Sequence, residues 1–296
     1  MRSRLLALAA AVAMVVVAVQ VRAGFDERAA EGRPRIVCAG ELAAVCEAVD
    51  GDADVVVEPA GLTADRLVAA GDDLGLDAWI APGPWAELVR SSRERALRPP
   101  GLTAGAPVAR ARLAVAVWPG RLPGCGADVG WPCLVQATTV PTFKIGLPDA
   151  RRDGLGLVVL GSLARSLSPE NPLDDDAFRG ALDALAGAAL RPPPKLATVL
   201  AGGPAFADAH VTAEAGADTG GRMELAYPAP VVTADVVPAQ VPGERGRRAA
   251  ELLRGRRVAE ALRAAGWDTS PGAEPSGLPD VGVLEALRDL WAEVAR

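Results

Sequence analysis

A strand-to-helix junction near the N-terminus has residue types that could hold a small molecule. Residues 36–49, IVCAGELAAVCEAV, begin with β-branched residues, continue through Ala39-Gly40-Glu41 and pass directly into a helix-like pattern. In α/β proteins such a junction presents the free N–H groups and the positive dipole end of a helix. The sequence therefore predicts either a ligand-binding turn or a tight turn that only closes a βα unit.

A second candidate is the turn from Pro148 to Gly154, which precedes an apolar helix predicted from Leu155 to Leu167. Its two arginines, Arg151 and Arg152, have the chemistry to clamp a carboxylate or a phosphate. The alternative is that they are solvated charges beside the acidic residues of the same turn. We favour this second interpretation.

The residues that could support catalysis or metal binding are few. His210 is the only histidine, and no Gly-x-Ser-x-Gly motif accompanies it. The acidic run Asp174-Asp175-Asp176 lacks the spacing of a calcium loop and predicts a helix N-cap instead. No cysteine pair has metal-site spacing. We therefore predict a protein without catalytic activity, cofactor or metal.

The N-terminus and the cysteines indicate export. Arg2 and Arg4 precede an apolar run from Leu5 to Val21, which predicts a signal-anchor, with a cleaved signal peptide as the alternative. Both place the chain from residue 24 onward outside the cytoplasm, where disulfides form. Gly and Pro between Cys125 and Cys133 favour that pairing, which leaves Cys38 to pair with Cys46.

Strand and helix patterns alternate along the chain, which predicts βαβ units and a parallel sheet. The net charge of −6 argues against a nucleic-acid partner. Predicted strands cover residues 35–38, 54–58, 78–81, 111–118, 142–147, 197–200, 223–227 and 231–237, and predicted helices cover 41–49, 62–70, 84–91, 155–167, 174–189, 244–254, 256–265 and 282–294.

The order of these motifs resembles the bacterial extracellular solute-binding proteins of the type II periplasmic-binding class, especially their molybdate-binding-like branch. The likeness runs over residues 34–268. It is carried by IVCAGELAAVCEAV, VVVEPAGLTADRLVAA, LDAWIAPGPWAELV, RARLAVAVWPG, KIGLPDARRDGLGLVVLGSLARSL, ATVLAGGPAFADAHVTAEA, ELAYPAPVVTADVVPA and AAELLRGRRVAEALRAAGWD.

The resemblance implies an α/β, two-lobed fold with two crossing strands, preceded here by the N-terminal hydrophobic helix. The crossings would fall near residues 110–115 and 222–227. The implied division is residues 1–23 for the signal segment, 24–34 for a spacer, 35–112 and 223–296 for lobe I, and 113–222 for lobe II, with the C-terminal helix in lobe I.

The resemblance also implies where a ligand would sit. Relatives bind an oxyanion through hydroxyl side chains after the first and third strands, and neither turn has a hydroxyl here. Glu41 adds a negative charge instead, so tetrahedral oxyanions are disfavoured, and an ion pair between Glu41 and Arg151 or Arg152 could close the cleft without ligand. The predicted ligand-binding residues are Ala39, Gly40, Glu41, Pro82, Gly83, Trp85, Arg151, Arg152, Asp153, Gly154 and Tyr227.

The function implied is that of an extracytoplasmic solute-binding-like protein without catalysis, held at the membrane through its N-terminal helix or secreted. Its partners would be a small-molecule ligand and an ABC-transporter permease. The alternative is a ligand-free interaction protein of the cell envelope that keeps the fold and contacts another envelope protein.

Overall fold

The computed structural model describes residues 32–122, 125, 129–270 and 276–295. The predicted signal segment and N-terminal hydrophobic helix lie outside these residues. Within them, no helix combines the length and the apolar character needed to cross a bilayer. The strands are β1 (Arg35–Ala39), β2 (Asp54–Glu58), β3 (Ala78–Pro82), β4 (Thr103–Ala104), β5 (Ala109–Val117), β6 (Ile145–Gly146), β7 (Ala209–Ala213), β8 (Glu224–Ala226) and β9 (Thr233–Gln240).

The helices connect these strands and cover their faces. They are α1 (Ala43–Cys46), which has a 3-10 turn on each side, α2 (Ala60–Ala69), α3 (Trp85–Arg95), α4 (Trp131–Ala137), α5 (Gly156–Leu167), α6 (Asp176–Ala188), α7 (Leu196–Gly202), α8 (Glu244–Leu253), α9 (Arg256–Ala264) and α10 (Val281–Val294). Asp175 caps α6 by accepting hydrogen bonds from the amides of Ala177 and Phe178, which confirms the N-cap predicted for the acidic run.

The predicted strand at residues 197–200 is wrong, because this segment forms α7. Its buried residues, Leu196 and Val199, are three apart, which is the spacing of a helix face. The strand of this region is β7, which begins at Ala209. A short apolar run is too short to show a helical or a strand period, so its sequence alone does not distinguish a helix from a strand.

β5 is the strand on which two groups of strands meet. Its first part, Ala109 to Arg112, pairs with β9, and its second part, Leu113 to Val117, pairs with β7. The hydrogen-bonded order is therefore continuous, β2-β1-β3-β9-β5-β7-β6, with β4 beside β9 and β8 beside β5. The second crossing is the connection from β8 to β9, a few residues later than predicted.

We call β1–β4 and β9 with helices α1–α3, α8 and α9 lobe I, and β6–β8 with helices α4–α7 lobe II. In lobe I, β1 and β3 run parallel and antiparallel strand β9 lies beside β3. Every residue of β3 is buried, as expected for a central strand that has helices on both faces. The carboxyl ends of β1, β2 and β3 therefore lie at one edge of the sheet.

The hydrophobic core does not stop at the boundary between the lobes. One cluster on the lobe I sheet contains Trp79, Trp85 and Leu88, and it also contains Leu157 from α5 of lobe II. All four side chains are essentially inaccessible to solvent. Burial of such side chains contributes roughly 1.5–3 kcal/mol each, so contact between the lobes is part of the folded core.

Both predicted disulfides are present. Cys38 bonds to Cys46 with a Cα–Cα distance of 6.6 Å, and Cys125 bonds to Cys133 with a distance of 5.5 Å. Both distances lie in the range that a disulfide can span. The first bond ties the end of β1 to α1, directly below the predicted ligand-binding turn.

Arg93 is a buried cation whose partners are carbonyl groups. It is 1% exposed. Its guanidinium donates to the carbonyls of Leu67, Ala70, Gly71 and Pro99 at distances of 2.6–3.0 Å. Leu67 lies in the last turn of α2, where carbonyls have no partner within the helix, and Ala70 and Gly71 follow that helix directly. Arg93 therefore satisfies carbonyls at the C-terminal end of α2.

We expect Arg93→Leu to lower the free energy of unfolding by about 3 kcal/mol, because it leaves buried carbonyls without donors. Urea denaturation measures the change. Arg90→Leu is the matched control on the same helix, since Arg90 is 45% exposed and its ion pair within the described part of the chain is with Glu94. It should cost about 0.5 kcal/mol. Equal losses in the two variants would contradict this account.

Candidate functional site

Three loops at the carboxyl ends of the lobe I strands face one turn of lobe II. They are residues 39–41 after β1, 59–61 after β2 and 82–85 after β3, and the turn is residues 149–155 before α5. The amide of Gly61 donates to the carbonyl of Arg152 at 2.8 Å. The indole Nε1 of Trp85 donates to the carbonyl of Gly154, also at 2.8 Å, and Trp85 is completely buried.

The approach at this junction is so close that glycine is required. A Cβ on Gly61 would lie 1.8 Å from the carbonyl oxygen of Arg151. A Cβ on Gly154 would lie 2.7 Å from Pro82 and 2.8 Å from the carboxylate of Glu41. At these points the lobes touch each other directly. The loop that contains Gly61 was not among the predicted site residues, although its sequence lies in one of the motifs that carry the resemblance.

Glu41 is the acidic residue that meets lobe II at the start of α5. Its Oε1 accepts a hydrogen bond from the amide of Leu155 at 3.3 Å, so the carboxylate lies where a helix N-terminus favours negative charge. Desolvation raises the pKa of Glu41, the N–H groups of Gly154 and Leu155 oppose the rise, and the charge of Asp153 adds to it. The residue keeps surface that water can reach.

The ion pair that could close the cleft, from Glu41 to Arg151 or Arg152, is not formed. Arg151 makes a two-point contact with Asp149 within its own turn, at 3.1 and 2.9 Å. Glu41 contacts backbone amides instead. The preferred interpretation of Arg151, a charge balanced inside its own turn, therefore agrees with its contacts.

The pKa values of the two aspartates in this turn, Asp149 and Asp153, are shifted in opposite directions. Burial opposes ionisation of Asp149, but hydrogen bonds from Arg151 and from the indole of Trp291 outweigh it and hold its pKa below the ordinary value. Asp153 accepts a hydrogen bond from the amide of Asp149 at 2.7 Å. Burial raises the pKa of Asp153, and the charge of Asp149 raises it further.

Tyr227 lies at the crossing between the lobes and not against the turn contacts described above. Its hydroxyl donates to Glu214 at 2.7 Å, and Arg112 lies 3.9 Å above its ring. Arg112 also makes a two-point contact with Glu214. Arg112 and Glu214, which sequence reasoning missed, therefore join Tyr227 in a cluster that fixes β5 to the ends of β7 and β8.

His210 has the surroundings of a structural histidine. It is buried in β7, its Nδ1 has no hydrogen-bond partner, and burial lowers its pKa to about 4. A Cβ on Gly146 of the neighbouring strand would lie 2.2 Å from Nδ1. The imidazole is therefore neutral at physiological pH. Over the described ranges of the chain, no group of three or more His, Cys, Asp or Glu side chains is arranged to hold a metal ion.

Comparison with solved structures matches this arrangement of strands over most of the chain. A periplasmic thiamin-binding protein superposes with a TM-score of 0.62 at 12% identity, over 89% of this chain and 96% of its own. The fold is that of the periplasmic binding proteins. No family model matches the sequence, and no curated protein matches it.

Two further periplasmic binding proteins agree. The periplasmic binding protein P5PA gives a TM-score of 0.60 at 16% identity, over 90% of this chain and all of its own. AfuA from Actinobacillus pleuropneumoniae, solved with fructose-6-phosphate, gives 0.60 at 13% identity, over 90% and 97%. At identities this low, the superpositions show a shared fold and nothing about the ligand.

Enlarging Gly61 tests whether the lobes are as tightly closed as the contacts indicate. We expect Gly61→Ala to lower the free energy of unfolding by about 2 kcal/mol, or to increase the radius of gyration in solution scattering, because the methyl group must push the turn away. Gly40→Ala is the control within the same site, since a Cβ there meets nothing within 4 Å. If both variants behave like the parent protein, the lobes are not in contact at Gly61.

The raised pKa of Glu41 predicts a pH dependence with a defined sign. A carboxyl whose pKa rises on folding from its ordinary 4.5 contributes stability in its protonated form, and this contribution is lost as the pH rises through the folded value. Glu41→Gln should therefore gain in melting temperature relative to the parent between pH 4 and pH 7. Glu47→Gln, on the neighbouring turn, is the control. A constant difference across this range would disprove the assignment.

Proposed function

We propose that this chain is an extracytoplasmic solute-binding protein of the two-lobed type, without catalytic activity, whose ligand enters between the loops of lobe I and the turn at residues 149–155. The observation that supports it best is the position of Glu41. Glu41 is an exposed residue at the junction, and its carboxylate lies against amides at the start of α5. A ligand that reaches this point meets an acidic side chain beside backbone amides.

The charges at the junction favour one class of solute. Glu41 and Asp153 both have raised pKa values, so a second negative charge nearby is costly. A solute with a positive charge or with hydrogen-bond donors would lower that cost. Tetrahedral oxyanions stay disfavoured. The other predicted contacts, from Ala39, Pro82 and Gly83, offer mainly backbone groups and apolar surface.

The predicted location and partners belong to the same proposal. The apolar run at residues 5–21 would direct export and either anchor the chain or be removed, and the two disulfides suit an oxidising compartment. A transporter permease is the proposed receiver of the solute. This assignment draws on the fold shared with periplasmic binding proteins, and it needs no nucleic acid and no cofactor.

One observation favours the second candidate, an envelope protein that keeps the fold and binds another protein. The backbone of Gly61 meets the backbone of Arg151 and Arg152 with no space between them. A small ligand has to part these groups before it can lie there. If no solute does so, the closed lobes serve as a single rigid surface.

A thermal-shift panel on the purified full chain, refolded from denaturant to remove any carried ligand, separates the two functions. Under the solute-binding proposal, at least one amine, amino acid or sugar raises the melting temperature by about 5 °C when present at 100 times its dissociation constant. The shift should be reduced in Glu41→Ala and kept in Glu47→Ala. A panel without any shift would favour the envelope-partner function.

A further inference from the structure

The C-terminal helix α10 lies across both lobes. It packs against α3 of lobe I and against α5 and α6 of lobe II. Its inner face is formed by Leu284, Leu287, Leu290 and Trp291, which are buried.

On the lobe II side the helix is held by apolar packing and by two polar contacts, one of which is buried. A Cβ on Gly161 of α5 would lie 2.7 Å from Leu278 and 3.1 Å from Leu284. The indole of Trp291 donates to Asp149 at 2.9 Å, and Arg191 donates to the carbonyl of Ala295 at 2.6 Å. These contacts fix α10 to the turn that faces the lobe I loops.

On the lobe I side the polar contacts are more exposed. Glu285 accepts a hydrogen bond from Ser92 at 2.8 Å and pairs with Arg95. Arg288 pairs with Asp65 of α2 at 2.8 Å. Asp65 and Arg95 each keep more than half of their side-chain surface in water, and ion pairs of this kind contribute little individually.

Arg288 is the residue of α10 that touches both lobes at the junction itself. Besides its pair with Asp65, it donates to the carbonyl of Arg151 at 3.1 Å, and its guanidinium lies 5.2 Å from the ring centre of Trp85. Arg151 is the residue whose carbonyl approaches Gly61. One side chain therefore holds α2, α3 and the lobe II turn at the place where the lobes meet.

We propose that α10 is a strap that keeps the lobes closed and releases lobe I when they open. Release on this side is easier, because the ion pairs there have an exposed partner in Asp65 and in Arg95, whereas the hydrogen bond from Trp291 to Asp149 of lobe II is buried. The start of the strap stays attached near the crossing strands, since the amide of Thr233 donates to the carbonyl of Ser276 at 2.9 Å. Solute entry would then depend on how often the strap releases, a step that rests on the proposed function.

The test uses two hydrogens that are protected only while the lobes touch: the amide of Gly61, bonded to Arg152, and the indole N–H of Trp85, bonded to Gly154. Their exchange with deuterium is followed by NMR on the full chain, without ligand. We expect Arg288→Ala to speed both exchanges at least tenfold and to leave the amides of β3 unchanged. Arg256→Ala on α9, where the side chain is 87% exposed, is the control.

Glu285→Ala separates a strap from a local contact. Glu285 bonds only to Ser92 and Arg95 among its described polar partners, so a faster exchange at Gly61 in this variant has to act through the helix. If Arg288→Ala does not fold, the exchange measured in Glu285→Ala still tests the strap. Unchanged exchange in the folded variants, or a rise shared by the amides of β3, would overturn the proposal.

The thermal-shift panel of solutes, repeated on Arg288→Ala, distinguishes a failure of the strap proposal from a failure of the solute-binding proposal. Faster exchange without any thermal shift would support the strap and count against solute binding. A thermal shift that is unchanged from the parent, with unchanged exchange, would support solute binding and count against the strap.

Discussion

The direct contact between the loops of lobe I and the turn at residues 149–155 is the constraint on which the remaining structure depends. Two backbone segments can approach this closely only where side chains are absent, which is why Gly61 and Gly154 lie at the junction. The hydrogen bond from Gly61 to Arg152 and the indole bond from Trp85 to Gly154 then satisfy polar groups that would otherwise be buried without partners.

The charges around the junction are arranged by that contact. The turn carries two aspartates, and the closed form needs each of them to have a donor nearby. Asp149 accepts hydrogen bonds from Arg151 and from the indole of Trp291. Asp153 accepts one from the amide of Asp149, and burial raises its pKa although the charge of Arg152 opposes the rise. Trp291 belongs to α10, so the lowered pKa of Asp149 depends in part on the packing of the C-terminal helix against the turn.

The sequence predicted the parts of this picture that depend on local pattern. The βα units of lobe I, both disulfides and the N-cap at Asp175 follow from strand composition, cysteine spacing and capping chemistry. The fold itself came from the order of motifs, and solved structures share it. Contacts between distant segments could not be predicted. An ion pair from Glu41 to Arg151 or Arg152 was one possibility; Glu41 contacts a backbone amide instead, and Arg151 pairs with Asp149 in its own turn. The role of α10 and the Arg112–Glu214–Tyr227 cluster depend in the same way on tertiary packing. Short apolar runs such as residues 197–200 lack a period, so helix and strand were not separable there.

A closed junction has a thermodynamic consequence for any protein of this fold. A ligand shifts an equilibrium between open and closed lobes only by its differential contact with the two forms. Here contacts within the chain stabilise the closed form: Leu157 in the lobe I cluster, the bond from Trp85 to Gly154, and the packing of α10. If a solute must enter through the open form, its apparent affinity falls in proportion to the small population of that form. The residues that hold the lobes together therefore influence ligand affinity even where they do not touch the ligand, and Arg288 is the one whose contacts place it best to do so.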